Sequence, residues 1–165
     1  MLEPMLNEIR DEAGLTKRVL ERVPEDKLSW RPHEKSMTLG QLSLHIANIP
    51  GMISGLAQLD EFDASQANFE PPQPQTVEEI LTALATSVKT AEDYIAGIND
   101  ETAAANWRMT LSGRELFSLP RAGLLRKIML NHWYHHRGQL SVYLRLLDVP
   151  VPAIYGRSAD DNPFA

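Results

Sequence analysis

The sequence predicts an all-α protein, a four-helix bundle with long connectors and an irregular, proline-rich C-terminal tail. Three observations carry this. Four stretches repeat apolar residues at three- and four-residue steps, the period of a helix with one buried face. Two of them open on capping signatures. No set of alternating segments is strong enough to build a sheet. The 165 residues suit a single domain spanning the whole chain. A domain of this size buries roughly 70% of its unfolded surface, so it folds without a disulfide or structural metal.

The first helix follows Leu2, Leu6, Ile9, Ala13, Thr16, Leu20 and Val23 and ends at Pro24, which cannot continue the hydrogen-bond ladder. After the connector "PEDKLSWRPHEKS", a second helix starts at Ser36 or Thr38. Thr38 and Gln41 have capping-box spacing. The helix runs to about Leu59, with a kink or break expected near Pro50 and Gly51. The polar stretch "DEFDASQANFEPPQPQ" reads as a long connection. Thr76 and Glu79 form a second candidate box, opening a third helix along Val77, Ile80, Leu81, Leu84, Val88, Ala91, Ile95 and Ile98. The segment from Trp107 to Leu111 alternates enough for a short extended piece, but not for a sheet. A fourth helix runs from about Pro120 to Leu147, since proline is tolerated in a first turn. The tail "DVPVPAIYGRSADDNPFA" packs as irregular chain. The long second connection allows up-down topology or a crossover.

Composition removes several functions. A net charge of −6 argues against a nucleic-acid surface, which is usually basic. Arg121, Arg126, Lys127 and Arg137 read as a solvated helix face. The absence of cysteine excludes disulfide scaffolds, Cys-based zinc sites and thiol nucleophiles together. There is no signal pattern at the amino terminus and no apolar run near the ~18 residues of a membrane span, so the expectation is a soluble, cytoplasmic protein.

The stretch "NHWYHHRGQL" holds three of the five histidines. His132 and His136 lie about 40° apart on one helix face. Leu125, Ile128, Met129, Gln139, Tyr143, Leu146 and Leu147 share that face, so the pair sits mid-stripe. On the second helix His45 lies among Leu42, Ile49, Met52, Ile53, Leu56 and Leu59. A lone inward histidine is usually a hydrogen-bonded core residue. Three imidazoles pointed into one interior need partners for every nitrogen, and a shared divalent ion supplies them at once. His45, His132 and His136 are therefore the candidate metal ligands. His135 belongs to the surface or stands behind the ligands, and His33, beside Pro32, is exposed. Gln139 either orients a ligand or bound water, or is a satisfied interior amide. Tyr143 reads as core packing, while Trp133 and Tyr134 leave the stripe towards another helix, the tail or a partner. The glutamate of an H-E-x-x-H zinc protease is missing.

The segments "LSWRP", "KSMTLGQLSLHIANI" and "LNHWYHHRGQLSVYLRLLDVPVPAIYG" resemble the DinB-like superfamily of damage-inducible bacterial proteins, over nearly the whole chain. The resemblance implies a four-helix bundle, frequently a homodimer, holding a divalent metal, often zinc or nickel, through three histidines. Those positions correspond to His45, His132 and His136. Some relatives are metal-dependent thiol transferases or isomerases using low-molecular-weight thiols. The damage-inducible label describes regulation in a stress response and not chemistry.

Three neutral imidazoles leave an ion one open position, the arrangement of a catalytic site, and its positive charge acidifies a thiol or water placed there. With no cysteine in the chain, any thiol comes as substrate. The leading expectation is a metal-dependent enzyme activating a small thiol or water against a small electrophile, with no protein nucleophile or general base identified. The alternative is a non-catalytic metal-binding stress-response bundle acting through a ligand or protein partner. Walls for the substrate are expected from the helix-two to helix-three connection, the Trp107 region and the tail. Ile154, Tyr155 and Gly156 either close the site's mouth or simply pack.

Overall fold

A computed structural model describes residues 2–68, 70 and 72–164; Met1, Phe69 and Pro71 of the long connection, and Ala165 of the tail lie outside the described residues. Helix α1 spans Leu2–Leu20, α2 Leu39–Ala57, α3 Val77–Gly97 and the short α4 Asp100–Ala104. The last long helix is continuous but composite. It consists of α5 Arg121–Leu124, a π-helical segment Leu125–Leu130 and α6 Asn131–Leu146. Both predicted caps form. Thr38 closes a complete capping box with Gln41. Thr76 accepts from Glu79 N, while the Glu79 carboxylate turns to Gln75 N at 2.8 Å.

Side-chain partners fix the helix directions. Arg10 on α1 meets Glu92 near the far end of α3, so these two are antiparallel. Gly51 N donates to Ser87 Oγ at 2.7 Å and Tyr94 OH donates to Ala57 O at 2.8 Å, so α2 and α3 run parallel. Met37 meets Tyr143, and Ser54 meets Met129, which makes α2 and α6 antiparallel. Helix α1 packs on α3 and α6, and α2 packs on the same two. The bundle therefore has one crossover connection, between α2 and α3, where an up-down bundle would have three simple reversals. The α2–α3 pair is close at Gly51, where an added Cβ would stand 2.9 Å from Ser87 Cα. Helix α2 continues through Pro50 without the expected break.

A small sheet corrects the all-helical expectation. Strand β1 (Glu61–Asp63), inside the crossover, pairs parallel with β2 (Asn106–Leu111), and β2 pairs antiparallel with β3 (Arg114–Pro120). The β2–β3 turn has two residues, Ser112 and Gly113, with φ of 51° and 80°. That is a primed turn whose twist suits a hairpin. The parallel β1–β2 pairing brings together residues almost fifty positions apart, a contact that local periodicity does not encode.

The described tail, residues 149–164, has no helix or strand and lies against α1 and α6. Asp161 bonds Arg18 on α1 and Ala153 N in the tail, while Asp160 bonds Arg145 and Val151 N. No described helix is long and apolar enough to cross a membrane.

Candidate metal centre

The last helix shows why the histidines lie where they do. Its buried residues are Arg121, Leu124, Leu125, Met129 and Leu130, then Trp133, Arg137, Leu140 and Leu144. The expected stripe holds only in the first part. Beyond the π segment Gln139 and Leu146 are exposed, and His132 and His136 stand at the border of the buried face, half-buried. A π turn closes i→i+5 bonds, so it changes the angular phase between the residues before and after it. Extrapolating one straight 3.6-residue helix through Leu125–Leu130 therefore mispoints the rest. Trp133 leaves the expected stripe only to enter the core fully.

His45 from α2 meets the pair across the α2–α6 seam. His45 Nε2 lies 3.3 Å from His132 Nε2, and His132 Nε2 lies 2.6 Å from His136 Nε2. One ligand atom from each ring falls within 4.8 Å of the others. Burial first, then its neighbours His136 and His132, lowers the pKa of His45 to about 4. Burial, then His136 and His135, takes His132 to about 4 as well. Burial lowers His136, against the opposing hydrogen bond to Gln139. All three rings are neutral at pH 7.

Gln139 defines one tautomer. His136 Nδ1 lies 2.7 Å from Gln139 Oε1, and a carbonyl oxygen only accepts, so Nδ1 carries the proton and Nε2 presents a lone pair. This leaves the cluster frustrated. With neutral rings, one proton cannot serve both contacts at His132 Nε2, so one pair of nitrogens faces each other unmatched. A divalent cation matches all three lone pairs. Around tetrahedral zinc, nitrogens at about 2.0–2.1 Å stand roughly 3.3 Å apart. The His45–His132 separation already fits, and His132 and His136 need to open by about 0.7 Å. The residues fit a metal, and this three-histidine group can hold one.

The other candidates separate cleanly. His33 is exposed and accepts Lys35 N at 3.1 Å. His135 is exposed, its ring 4.9 Å from that of His136. Tyr143 is half-buried, donates to Met37 O at 3.3 Å and meets Trp30 edge-on at 5.8 Å. Tyr134 donates to Glu8 Oε1 on α1 at 2.7 Å.

Two of the four residues read as a solvated basic face are buried. Arg121, 6% exposed, donates to Ala57 O and Leu59 O and so caps the C-terminal end of α2; it also pairs with Asp60. Arg137, 2% exposed, pairs with Glu12 Oε2 at 2.6 Å, donates to Thr16 Oγ1 and meets Tyr155 OH. Sequence reading missed this cluster, although Trp133, Arg137, Leu140 and Leu144 keep helical spacing and place the arginine on the core face. Tyr155 is thereby held on the α1 side, bonded to Arg137 and Glu12, and not over the histidines. Trp107 is fully buried and donates to Leu56 O at 3.0 Å, three turns along α2 from His45. It is a core residue at the sheet.

The chain is 26% identical over 97% of its length, and 91% of the relative's, to the uncharacterized protein YrdA of Bacillus subtilis strain 168. Among solved structures it superposes on a DinB-like protein of Bacillus cereus ATCC 10987 with a TM-score of 0.71 at 22% identity, covering 91% of this chain and 95% of that one. The DinB-like protein YjoA of Bacillus subtilis gives a TM-score of 0.67 at 17% identity, covering 96% and 99%. The sequence model of the DinB family matches residues 1–162, and the chain belongs to that family.

Proposed function

We propose that this protein is a metal-dependent enzyme in which His45, His132 and His136 hold a divalent transition metal, zinc or nickel. The observation that supports this reading is the convergence of three neutral imidazole nitrogens from two helices within 4.8 Å. When bound, a divalent ion on three imidazoles keeps a position for a small molecule and acidifies a thiol or water placed there. The protein's own residues do the rest. Gln139 holds the His136 tautomer, and α2 and α6 hold the two halves of the ligand set. The lack of cysteine means that a reacting thiol arrives with the substrate, a low-molecular-weight thiol attacking a small electrophile. The family resemblance supports a homodimer acting on small molecules; the net charge of −6 argues against nucleic acid, and no described helix is long and apolar enough to cross a membrane.

The test is elemental mass spectrometry on untagged protein purified without chelator, wild type against a His132→Ala, His136→Ala double variant. About one equivalent of transition metal in the wild type, lost in the variant, is expected. Thiol-transfer and hydrolysis screens then compare wild type with His136→Ala. Lost turnover supports the enzyme. Retained metal-free folding with no turnover in either protein favours the binding bundle acting through a partner.

A further inference from the structure

The outer side of the last helix carries a pattern that folding of one chain does not use. His135, Gln139, Val142 and Leu146 follow one another at steps of four, three and four residues, the spacing of a helix seam, and all four are exposed. Val142 is 56% and Leu146 58% exposed, an aliphatic pair one turn apart left in water. Gly138 lies in the same stretch, and an added Cβ there meets nothing within 4 Å. Its φ is not left-handed either. Glycine costs a helix interior about 1 kcal/mol against alanine, and nothing within the chain requires it here. A second helix approaching closely from outside does.

The spacing about Gly138 selects a second copy of the same helix. Lys127 stands eleven residues before it and Asp148 ten after, and both are exposed. Neither makes an ion pair among the described residues, since Arg145 beside Asp148 pairs with Asp160. Laid antiparallel across Gly138, a second copy brings each Lys127 level with the other's Asp148, twice over by symmetry. Val142 and Leu146 stand four and eight residues after Gly138, and His132 stands six before. The partner's Val142 and Leu146 therefore fall on either side of the level of His132. We propose that two copies pair antiparallel along residues 127–148, and that the partner's Val142 and Leu146 wall the solvent side of the centre formed by His45, His132 and His136. This rests on the metal reading above and adds to it apolar walls for a small molecule at the ion.

Sedimentation equilibrium of the zinc-loaded, full-length protein compares wild type with a Val142→Glu, Leu146→Glu double variant and with Gly138→Leu, each checked for fold by circular dichroism. Zinc release to an excess of chelator is followed on the same samples. The expected result is a wild-type dimer whose Kd rises about a hundredfold in either variant, because charge or bulk enters the middle of the contact. Zinc is expected to leave the monomeric variants several times faster, since the partner's helix covers the ion in the dimer. A monomeric wild type overturns the proposal. So does a dimer that survives either variant, which places the homodimer on another face. Weakened dimers with unchanged zinc release overturn the partner's share in the site. A wild type that binds no zinc defeats the metal reading itself, and with it the site that the walls serve, whatever its oligomeric state.

Discussion

His136 and Arg137 are consecutive residues on one helix and end in opposite kinds of polar cluster. On the α1 side the Arg137 guanidinium finds a carboxylate, a hydroxyl and a backbone carbonyl, and two aromatic rings, Tyr134 and Tyr155, lie 5.4 and 5.2 Å from it. Every charge there has its counter-charge, and the cluster ties α1, α6 and the tail together. On the α2 side three imidazoles crowd with no counter-charge, and their nitrogens cannot all be matched by protons. The first cluster is complete as folded. The second is not, and an added cation would match its three lone pairs. Buried polar groups that satisfy one another argue for architecture, and those that cannot argue for a ligand.

The largest effect that would break this contrast is on the α1 side. Arg137→Ala leaves Glu12 buried and unpaired, and chemical denaturation is expected to show a loss of about 3–5 kcal/mol, with or without metal. A loss below 1 kcal/mol would mean that the cluster is not structural.

His45→Leu is expected to behave in the opposite way. In metal-free protein it removes a crowded ring and costs no stability, while in the metal-loaded protein it removes the stabilisation given by the ion. That stabilisation is about 4 kcal/mol when metal exceeds its Kd a thousandfold. Acid sharpens the same comparison. The unfolded histidines titrate near 6.5, whereas folded His45 and His132 titrate at about 4. As pH falls from 6.5 towards 4, the unfolded chain takes up protons that the folded one refuses. Metal-free wild type should therefore lose stability over that window and none above it, and His45→Leu should lose less. A pH-independent melting temperature in wild type would contradict the frustrated cluster.

The smallest effect is expected at Gln139. Gln139→Leu removes the acceptor that holds His136 Nδ1–H, and metal affinity measured by competition should fall about tenfold to a hundredfold. Melting of the metal-free protein should stay unchanged, because Gln139 is exposed. An unchanged affinity would return Gln139 to the surface.

Much of the fold was legible because it is local. Thr38 and Thr76 announce their helices through bonds that span three residues, and α1 and α3 bury Ile9, Thr16, Ile80, Leu84 and Ile95 as their periodicity requires. That three histidines cluster was legible for a similar reason: His132 and His136 are one turn apart on any helix, and His45 sits on an apolar stripe. What stayed hidden has non-local causes. The π turn at Leu125–Leu130 rotates the rest of the helix, so Gln139 and Leu146 came out and Trp133 and Arg137 went in. Glu12 is half of a buried pair whose other half is 125 residues away, and a lone glutamate on a helix reads as surface.

The sequence by itself determined that this is a helical protein with three inward-tending histidines and no thiol of its own, because helix period, capping and composition are properties of short segments. Only the tertiary structure decided the rest. It set the α2–α3 crossover, the three-stranded sheet, the burial of Arg121 and Arg137 and the side on which the tail lies. Each depends on which surfaces meet after the chain has closed on itself, and the energies that choose between those meetings belong to pairs of distant residues.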